Sequence, residues 1–362
     1  MVLLLMMAFW IPVQATDIAG LTGREEQALG VDKLKKAGES YLSDVNISSD
    51  MNVREALNQI MGMGKQAASN IIRSSVRSCM LLLAITLMCG LAEGMRLGAG
   101  DQGFPVVPVV AALSVTAVAV SDMSSLVGMG KHAIEEMELF SDVLLPTVTM
   151  STAFSGAPTA AAVRQLATVL FSNCLINLIN NVLLPLTFAY IAAGTAYAAV
   201  GNEGLKRIGS CIKWIITTTL AIVLLAFTGY ISVSGVIAGG ADAAAVKAAK
   251  FTISNMVPVV GSIISDSAET LLVGASILRN AIGIFGMLVV LAICLVPFLH
   301  LGAHYITYKI TAALTATVSS DGRVTGLIDT IGSAFGLVMG MTGACAMVLA
   351  IAMISAISAV SG

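Results

Sequence analysis

The chain has 362 residues, of which 57% are hydrophobic and 11% are charged, and its formal net charge is −2. A water-soluble core of this size does not need so large an apolar share, whereas a lipid bilayer does, so the composition predicts an integral membrane protein. The near-neutral charge and the lack of a basic block offer no source for counterion release, and we do not expect nucleic acid as a partner.

The chain begins with an apolar stretch at residues 2–11, followed by Val13-Gln14-Ala15. This stretch is too short to span a bilayer and is typical of the apolar core of a signal peptide, with a small-residue cleavage site behind it. No Lys or Arg precedes it, which leaves open an uncleaved anchor or a start codon further upstream. We predict a signal peptide at residues 1–15.

A polar head follows at residues 16–77, which hold 8 of the 19 Lys and Arg and 8 of the 21 Asp and Glu. Asn52 and Glu55 have capping-box spacing and predict the start of an amphipathic helix. If the signal peptide is present, the head is extracytoplasmic. Its helix then lies on the membrane, against a partner, or on the protein's own segments. Its apolar stripe consists of Val53, Leu57, Ile60, Met61, Ala68, Ile71 and Ile72.

Residues 78–362 are predicted to be the transmembrane domain. A span needs roughly twenty apolar residues, so the pattern predicts an all-α polytopic bundle with six to eight spans, including Pro-broken or re-entrant helices. The basic cluster of Lys206, Arg207 and Lys213 is the best candidate for a cytoplasmic loop. The uncharged runs are 78–92, 104–121, 143–163, 165–201, 214–241, 281–299 and 330–362.

An internal duplication is a further hypothesis. Pro146 and Pro185 are each matched 112 residues later, by Pro258 and Pro297, which indicates tandem repeats at 131–241 and 242–362. Transporters build sites near the bilayer midplane from repeats with interrupted helices. We therefore predict helix breaks at these four prolines and at Gly261.

Charged residues flank the third of these breaks. Lys250 and Asp266 each stand eight residues from Pro258, so a hairpin broken there brings them to similar depth. Charges within a bilayer are usually paired or functional, which favours an ion pair of Lys247 or Lys250 with Asp266 or Glu269. The alternative is an interfacial helix whose lysines reach the headgroups.

Two stripes follow helical spacing. Asn173, Asn177, Asn180 and Asn181 share one face, which contacts neighbouring helices through hydrogen bonds or lines a water-filled path. The small residues Gly332, Gly336, Gly340 and Ala344 allow another backbone to approach closely, either within the monomer or in a homo-oligomer.

The sequence motifs that would indicate an enzyme are incomplete or absent. His300 and His304 have the spacing of two zinc ligands, but Leu301 stands where a metalloprotease motif carries Glu, and no third ligand is evident. Neither a phosphate-binding loop nor a serine-hydrolase elbow is present. We expect no metal, no cofactor and no enzymatic activity.

One stretch resembles a known family. The residues that carry the resemblance are Asp242, Lys247, Lys250 and Phe251, then Val257-Pro258-Val259-Val260-Gly261, Ser265-Asp266, Glu269-Thr270 and the run 276–283. They resemble the signature stretch of the stage III sporulation protein AE family, densely from 235 to 313 and more thinly back to Val53. The sequence departs from the family in lacking a basic segment before the signal peptide core, and in having Arg279 where Lys is expected.

The resemblance implies an endospore-forming bacterium and the mother-cell membrane that surrounds the forespore. It implies a non-enzymatic membrane core subunit of a channel or secretion complex, needed for forespore development. The implied partners are other proteins of the operon, among them a predicted ATPase and ring-forming subunits, and a forespore-side protein. The alternative is an autonomous secondary transporter with a midplane site between the repeats, holding Lys250 and Asp266.

Overall fold

The computed structural model describes residues 31–39, 41, 53–99, 106–256, 261–318 and 322–358. These ranges are helical and contain no strand. The predicted signal peptide and residues 16–30, 40 and 42–52 of the polar head lie outside them. The α-helices are α1 (Val31–Gly38), α2 (Val53–Ala99), α3 (Val106–Phe154), α4 (Pro158–Leu178), α5 (Leu184–Val200), α6 (Glu203–Met256), α7 (Gly261–Val318) and α8 (Gly322–Ser358), with a π-helical turn at Ile179–Leu183 between α4 and α5.

The described helices confirm an all-α membrane protein. Six segments are long and apolar enough to cross a bilayer, which is the lower end of the predicted range of six to eight. The highest mean hydropathies, 2.8 and 2.3, belong to the segments in α7 and α8. The six are Val53–Met95, Val106–Phe154, Pro158–Val200, Glu203–Ser234, Ser276–Thr317 and Gly322–Ile357.

The long helices run alternately up and down. Gly64 of α2 lies against Leu295 of α7, and Cys79, further along α2, lies against Thr311, so these two helices are parallel. We call the end of the bundle at which α2 and α7 begin the head end. The opposite end, at which the α5–α6 turn at Gly201 lies, is called the loop end.

Helices α3, α6 and α8 run in the opposite direction. In α3, Leu144 lies against Gly286 near the head end, and Gly130 lies against Leu301 further towards the loop end. The rod formed by α4, the π-turn and α5 begins at the head end and finishes beside Arg323 at the loop end. The apolar core is centred on α7 and α8, which explains why the two most hydrophobic segments are also the most buried.

The predicted helix breaks at Pro146 and Pro297 are wrong, because α3 and α7 continue through them. Proline removes one backbone hydrogen bond from a helix interior, but in long apolar helices neighbouring hydroxyls and tertiary packing compensate for it. Next to Pro146, Leu144 packs against Gly286 of α7 and holds α3 in place. Pro185 lies at the start of α5, directly after the π-turn, so the long apolar run is one continuous rod.

The remaining predicted break is only partly described. Gly261 is the first residue of α7, and Pro258 lies outside the described residues. The helix boundaries do not repeat at the offset of 112 residues. The turn at Gly156, which ends α3, corresponds to Ala268, which lies inside α7. The duplication therefore gains no support from the helix boundaries.

The described part of the amphipathic helix begins at Val53, and its predicted cap Asn52 lies outside the described residues. The helix does not end with the polar head. Helix α2 runs on to Ala99 and so joins the head to the first apolar segment. Its buried residues Ile60 and Ile71 belong to the face that packs on α7. From the sequence, three environments were open for this helix, namely the membrane, a partner and the protein's own segments. The structure supports the last, because α2 packs on α7.

The outer surface changes character along the bundle. On α3, Lys131, His132 and Glu135 are exposed about halfway along, and Lys131 pairs with Glu135 at 3.7 Å. Further towards the loop end, before the exposed Glu203 and Lys206 at the start of α6, many of the exposed large side chains are apolar. Lipid can cover this apolar belt at little cost, whereas it cannot cover the charges of α3. The apolar belt includes Met80, Leu87, Met88 and Leu91 of α2, Ile208, Trp214, Ile222 and Leu225 of α6, and Ile306, Ile310 and Leu314 of α7.

Candidate functional site: polar groups within the bundle

Asp242 joins two helices near the head end. It lies on α6 and is buried, and its carboxylate accepts the backbone N–H groups of Thr159 at 3.1 Å and Ala160 at 2.8 Å. The N-cap of α4, Ala157, offers no side-chain hydrogen bond of its own. A carboxylate is well suited to this position because the first N–H groups of a helix carry partial positive charge.

Arg279 joins three more elements at the same end. Its guanidinium donates to the Ser155 hydroxyl at 3.1 Å and to the Ile357 carbonyl at 3.1 Å, and so links α7 to the end of α3 and to α8. It is 3% exposed. Arg164 of α4 is close enough for the two positive charges to repel each other. Asp242 and Arg279, both predicted, therefore lie in one buried group, to which the structure adds Arg164.

The predicted lysine–carboxylate pair remains a prediction. Lys247 is exposed on α6. The side chains of Lys250, Asp266 and Glu269 lie outside the described part of the structure. Among the predicted charges, the structure thus gives partners to Asp242 and Arg279.

The asparagine stripe faces outward. Asn173, Asn177 and Asn181 are exposed, and only a long 3.5 Å contact joins the last two. Asn180 is half-buried, and its side-chain oxygen has no partner among the described residues. The stripe therefore does not form hydrogen bonds between the described helices of one chain. Of the predicted roles, hydrogen bonds to another protein and a water-filled path remain.

The stripe lies at the level of the apolar belt. Phe171 of α4 packs against Phe227 of α6 with ring centroids 5.4 Å apart, close to the exposed Ile222 and Leu225. A row of amides at this level would be costly against lipid. A second protein surface or water satisfies them better.

The glycine stripe packs within the monomer. A Cβ atom on Gly332 would lie 3.0 Å from Tyr308 Cβ, and one on Gly336 would lie 3.0 Å from the Tyr305 ring. Ala344 is buried. Gly340 has more room, because its nearest neighbour, Leu220, is 4.0 Å from a Cβ atom there. The small residues thus let α8 approach α7 closely.

The loop-end half contains a polar cluster that the sequence analysis missed. Lys309 of α7 donates to Asp329 Oδ1 at 2.6 Å and to the Ser333 hydroxyl at 2.9 Å, and both acceptors lie on α8. Lys213 of α6 reaches the same hydroxyl at 3.5 Å. A pattern in the sequence could have identified this cluster. It consists of a lone Lys in the apolar part of α7 and a lone Asp near the start of α8.

A second polar contact lies deeper in the same half. The Tyr308 hydroxyl donates to Asp122 Oδ2 at 2.8 Å, and Tyr308 is fully buried. One turn away, His304 Nδ1 is 2.9 Å from the His300 carbonyl and 3.2 Å from the Ser75 hydroxyl. In the described ranges no group of three His, Cys, Asp or Glu side chains is placed to hold a metal ion.

We expect Tyr308→Phe to destabilise the bundle. The carboxylate of Asp122 would lose its donor, and hydrogen bonds to charged groups contribute about 1.5–3 kcal/mol. The measurement is the thermal midpoint of the detergent-solubilised protein. Tyr305→Phe is the matched control, because no hydrogen bond from the Tyr305 hydroxyl is seen among the described residues. Equal midpoints for the two variants would contradict a stabilising role for the Tyr308–Asp122 bond.

Comparison with known proteins identifies a family to which this chain is similar. A family model described as "Stage III sporulation protein AE" matches residues 42–361. The Stage III sporulation protein AE of Bacillus subtilis (strain 168) is 25% identical over 210 residues, which are 58% of this chain and 53% of that protein. The match thus spans about half the length of this curated relative. No solved structure is significantly similar to the chain.

Proposed function

This chain belongs to the stage III sporulation protein AE family, and from that premise we propose that it is a membrane core subunit of a channel or secretion complex between mother cell and forespore. The family gives the chain a sporulation role, and its six apolar helices make it a membrane protein of a sporulating bacterium. Its place in the mother-cell membrane and its requirement for forespore development are parts of the proposal.

The observation that supports a subunit rather than an autonomous protein is the outward asparagine stripe. Asn173, Asn177 and Asn181 are exposed at the level of the apolar belt. Lipid is a poor environment for three amides. A protein surface that offers hydrogen bonds, or a water-filled path between subunits, satisfies them. The proposed partners are the other operon proteins, including a predicted ATPase and ring-forming subunits, or a second copy of this chain.

The proposal includes no catalytic step. The polar groups between helices, such as Lys309 with Asp329 and Tyr308 with Asp122, are engaged with each other. Such contacts hold helices together within a membrane. In this role the chain stabilises or lines a path through the complex. The energy for transport would come from a partner.

The test is to replace Asn173, Asn177 and Asn181 together by leucine. Interhelical hydrogen bonds in membranes contribute about 0.6 kcal/mol or more each, so the loss is about 2 kcal/mol, or roughly 30-fold in association with a partner. We expect fewer heat-resistant spores and weaker co-purification with the operon proteins, with unchanged accumulation in the membrane. The control replaces the exposed Leu166 and Leu170 by methionine.

Two outcomes would count against the proposal. Full sporulation by the triple leucine variant would mean that the stripe contacts no partner. Solute transport by the purified chain alone in vesicles would favour an autonomous secondary transporter instead.

A further inference from the structure

A small cavity lies between α3, α4 and α8 towards the head end. Its volume is about 20 Å³. The lining is mostly apolar, from Leu145 and Val148 of α3 to Met353 of α8, and Arg164 is the charged residue in it. A cavity needs roughly 10–15 Å³ to hold one water molecule. The space therefore accommodates a single small species.

Arg164 is buried with its hydrogen-bonding capacity largely unused. It is 8% exposed, and neither Nε nor Nη1 has a partner among the described residues. A buried guanidinium without a partner is costly, by several kcal/mol, unless an anion or good hydrogen-bond acceptors are supplied. A side chain in this state indicates that something else occupies the space beside it.

The surrounding charges call for an anion rather than a neutral acceptor. Asp242 is near enough to attract Arg164, but its two carboxylate oxygens already accept the N–H groups of Thr159 and Ala160. Arg279 adds a second buried positive charge that repels Arg164. The N-terminal end of α4 contributes further positive potential. Within the described residues, the group is therefore short of negative charge.

We propose that this cavity is a binding site for a small inorganic anion of about the size of chloride, held by Arg164 Nε and Nη1. The small volume suits a monatomic anion, the smallest class of inorganic anion. The side-chain amide of Gln165, which also lines the cavity, provides a further donor. Because three helices line the cavity, the bound anion fixes α4 against α3 and α8. The site does not depend on the proposed function.

The test compares anions at constant ionic strength. The full chain, purified in detergent, is heated in mixtures of sodium chloride and sodium gluconate of fixed total concentration. Ligand that binds the folded state stabilises it in proportion to the logarithm of its concentration, so we expect the midpoint to rise by on the order of 5 °C as chloride replaces gluconate. Bromide should act like chloride, and the effect of either halide should depend on Arg164, unlike the general stabilisation that sulfate gives by exclusion from protein surfaces.

Two variants separate the site from general salt effects. Arg164→Gln should lose the difference between chloride and gluconate, and Arg207→Gln, at the loop end, should keep it. A midpoint of the unaltered chain that is the same in chloride and gluconate would overturn the proposal, and would mean that water fills the cavity. Since that comparison needs no variant, it decides the matter even if Arg164→Gln fails to fold. An equal response of both variants to the exchange of gluconate for chloride would also overturn it.

Discussion

Replacing Asp242 by alanine is expected to be the most damaging single substitution at the head end. The change removes both acceptors from the first N–H groups of α4 and leaves Arg164 without its nearby carboxylate. Removing one member of a buried charged group costs about 3–5 kcal/mol. We expect a strongly lowered thermal midpoint and little intact protein in the membrane. Asp242→Asn should be intermediate, because it retains one acceptor oxygen but no charge.

The matched control for Asp242 is Glu135→Gln. Glu135 is half-exposed and pairs with Lys131 four residues earlier on the same helix. Exposed pairs of this kind contribute only about 0.3–0.5 kcal/mol, so the midpoint should hardly move. If Asp242→Ala were as stable as Glu135→Gln, the contact between α6 and the start of α4 would not be a significant source of stability.

The second large effect is expected where α8 meets α7. In Gly332→Ala the new methyl group would lie 3.0 Å from Tyr308 Cβ, an atom fixed to the backbone that cannot rotate away. Overpacking of this kind costs about 1–3 kcal/mol. Over most of this range the cost exceeds the roughly 1 kcal/mol that alanine gains over glycine in helix propensity. Gly332→Leu should prevent the two helices from packing at all. The measurement is again the thermal midpoint.

Gly340→Ala is the control for this prediction. It makes the same chemical change on the same helix, but its nearest neighbour is 4.0 Å away. Helix propensity should then decide the sign, and the midpoint should stay level or rise. Destabilisation of equal size at both positions would mean that the contact between Gly332 and Tyr308 does not limit the packing of α8 on α7.

Composition and hydropathy were sufficient to predict the fold class, because burial in a bilayer requires long apolar helices. The prolines were misleading because the effect of proline on a helix depends on what surrounds it. At Pro146 the packing of the neighbouring Leu144 against Gly286 of α7 is a tertiary contact that the sequence does not display. Pro185 did mark an irregularity, but it is a π-turn within a rod.

The head-end group was predictable in part. Asp242 and Arg279 stood out as charges near apolar segments, whereas the partner of Asp242 is the backbone of a helix more than eighty residues away in the chain, as the separations of 83 and 82 residues show. Such a contact depends on α4 and α6 lying side by side. Arg164 could have been found, because it is the one charged residue between positions 143 and 201. Its importance depends on burial, which a residue type alone does not give.

The uninterrupted length of α7 has a mechanical consequence. A helix of 58 residues is about 87 Å long at 1.5 Å per residue, whereas the hydrocarbon core of a bilayer is about 30 Å thick. The helix therefore reaches tens of ångströms beyond the lipid, and it does so through Pro297 without a hinge. A displacement of its outer end by a neighbouring protein would therefore be transmitted along one helix to Lys309, and from there to Asp329 of α8.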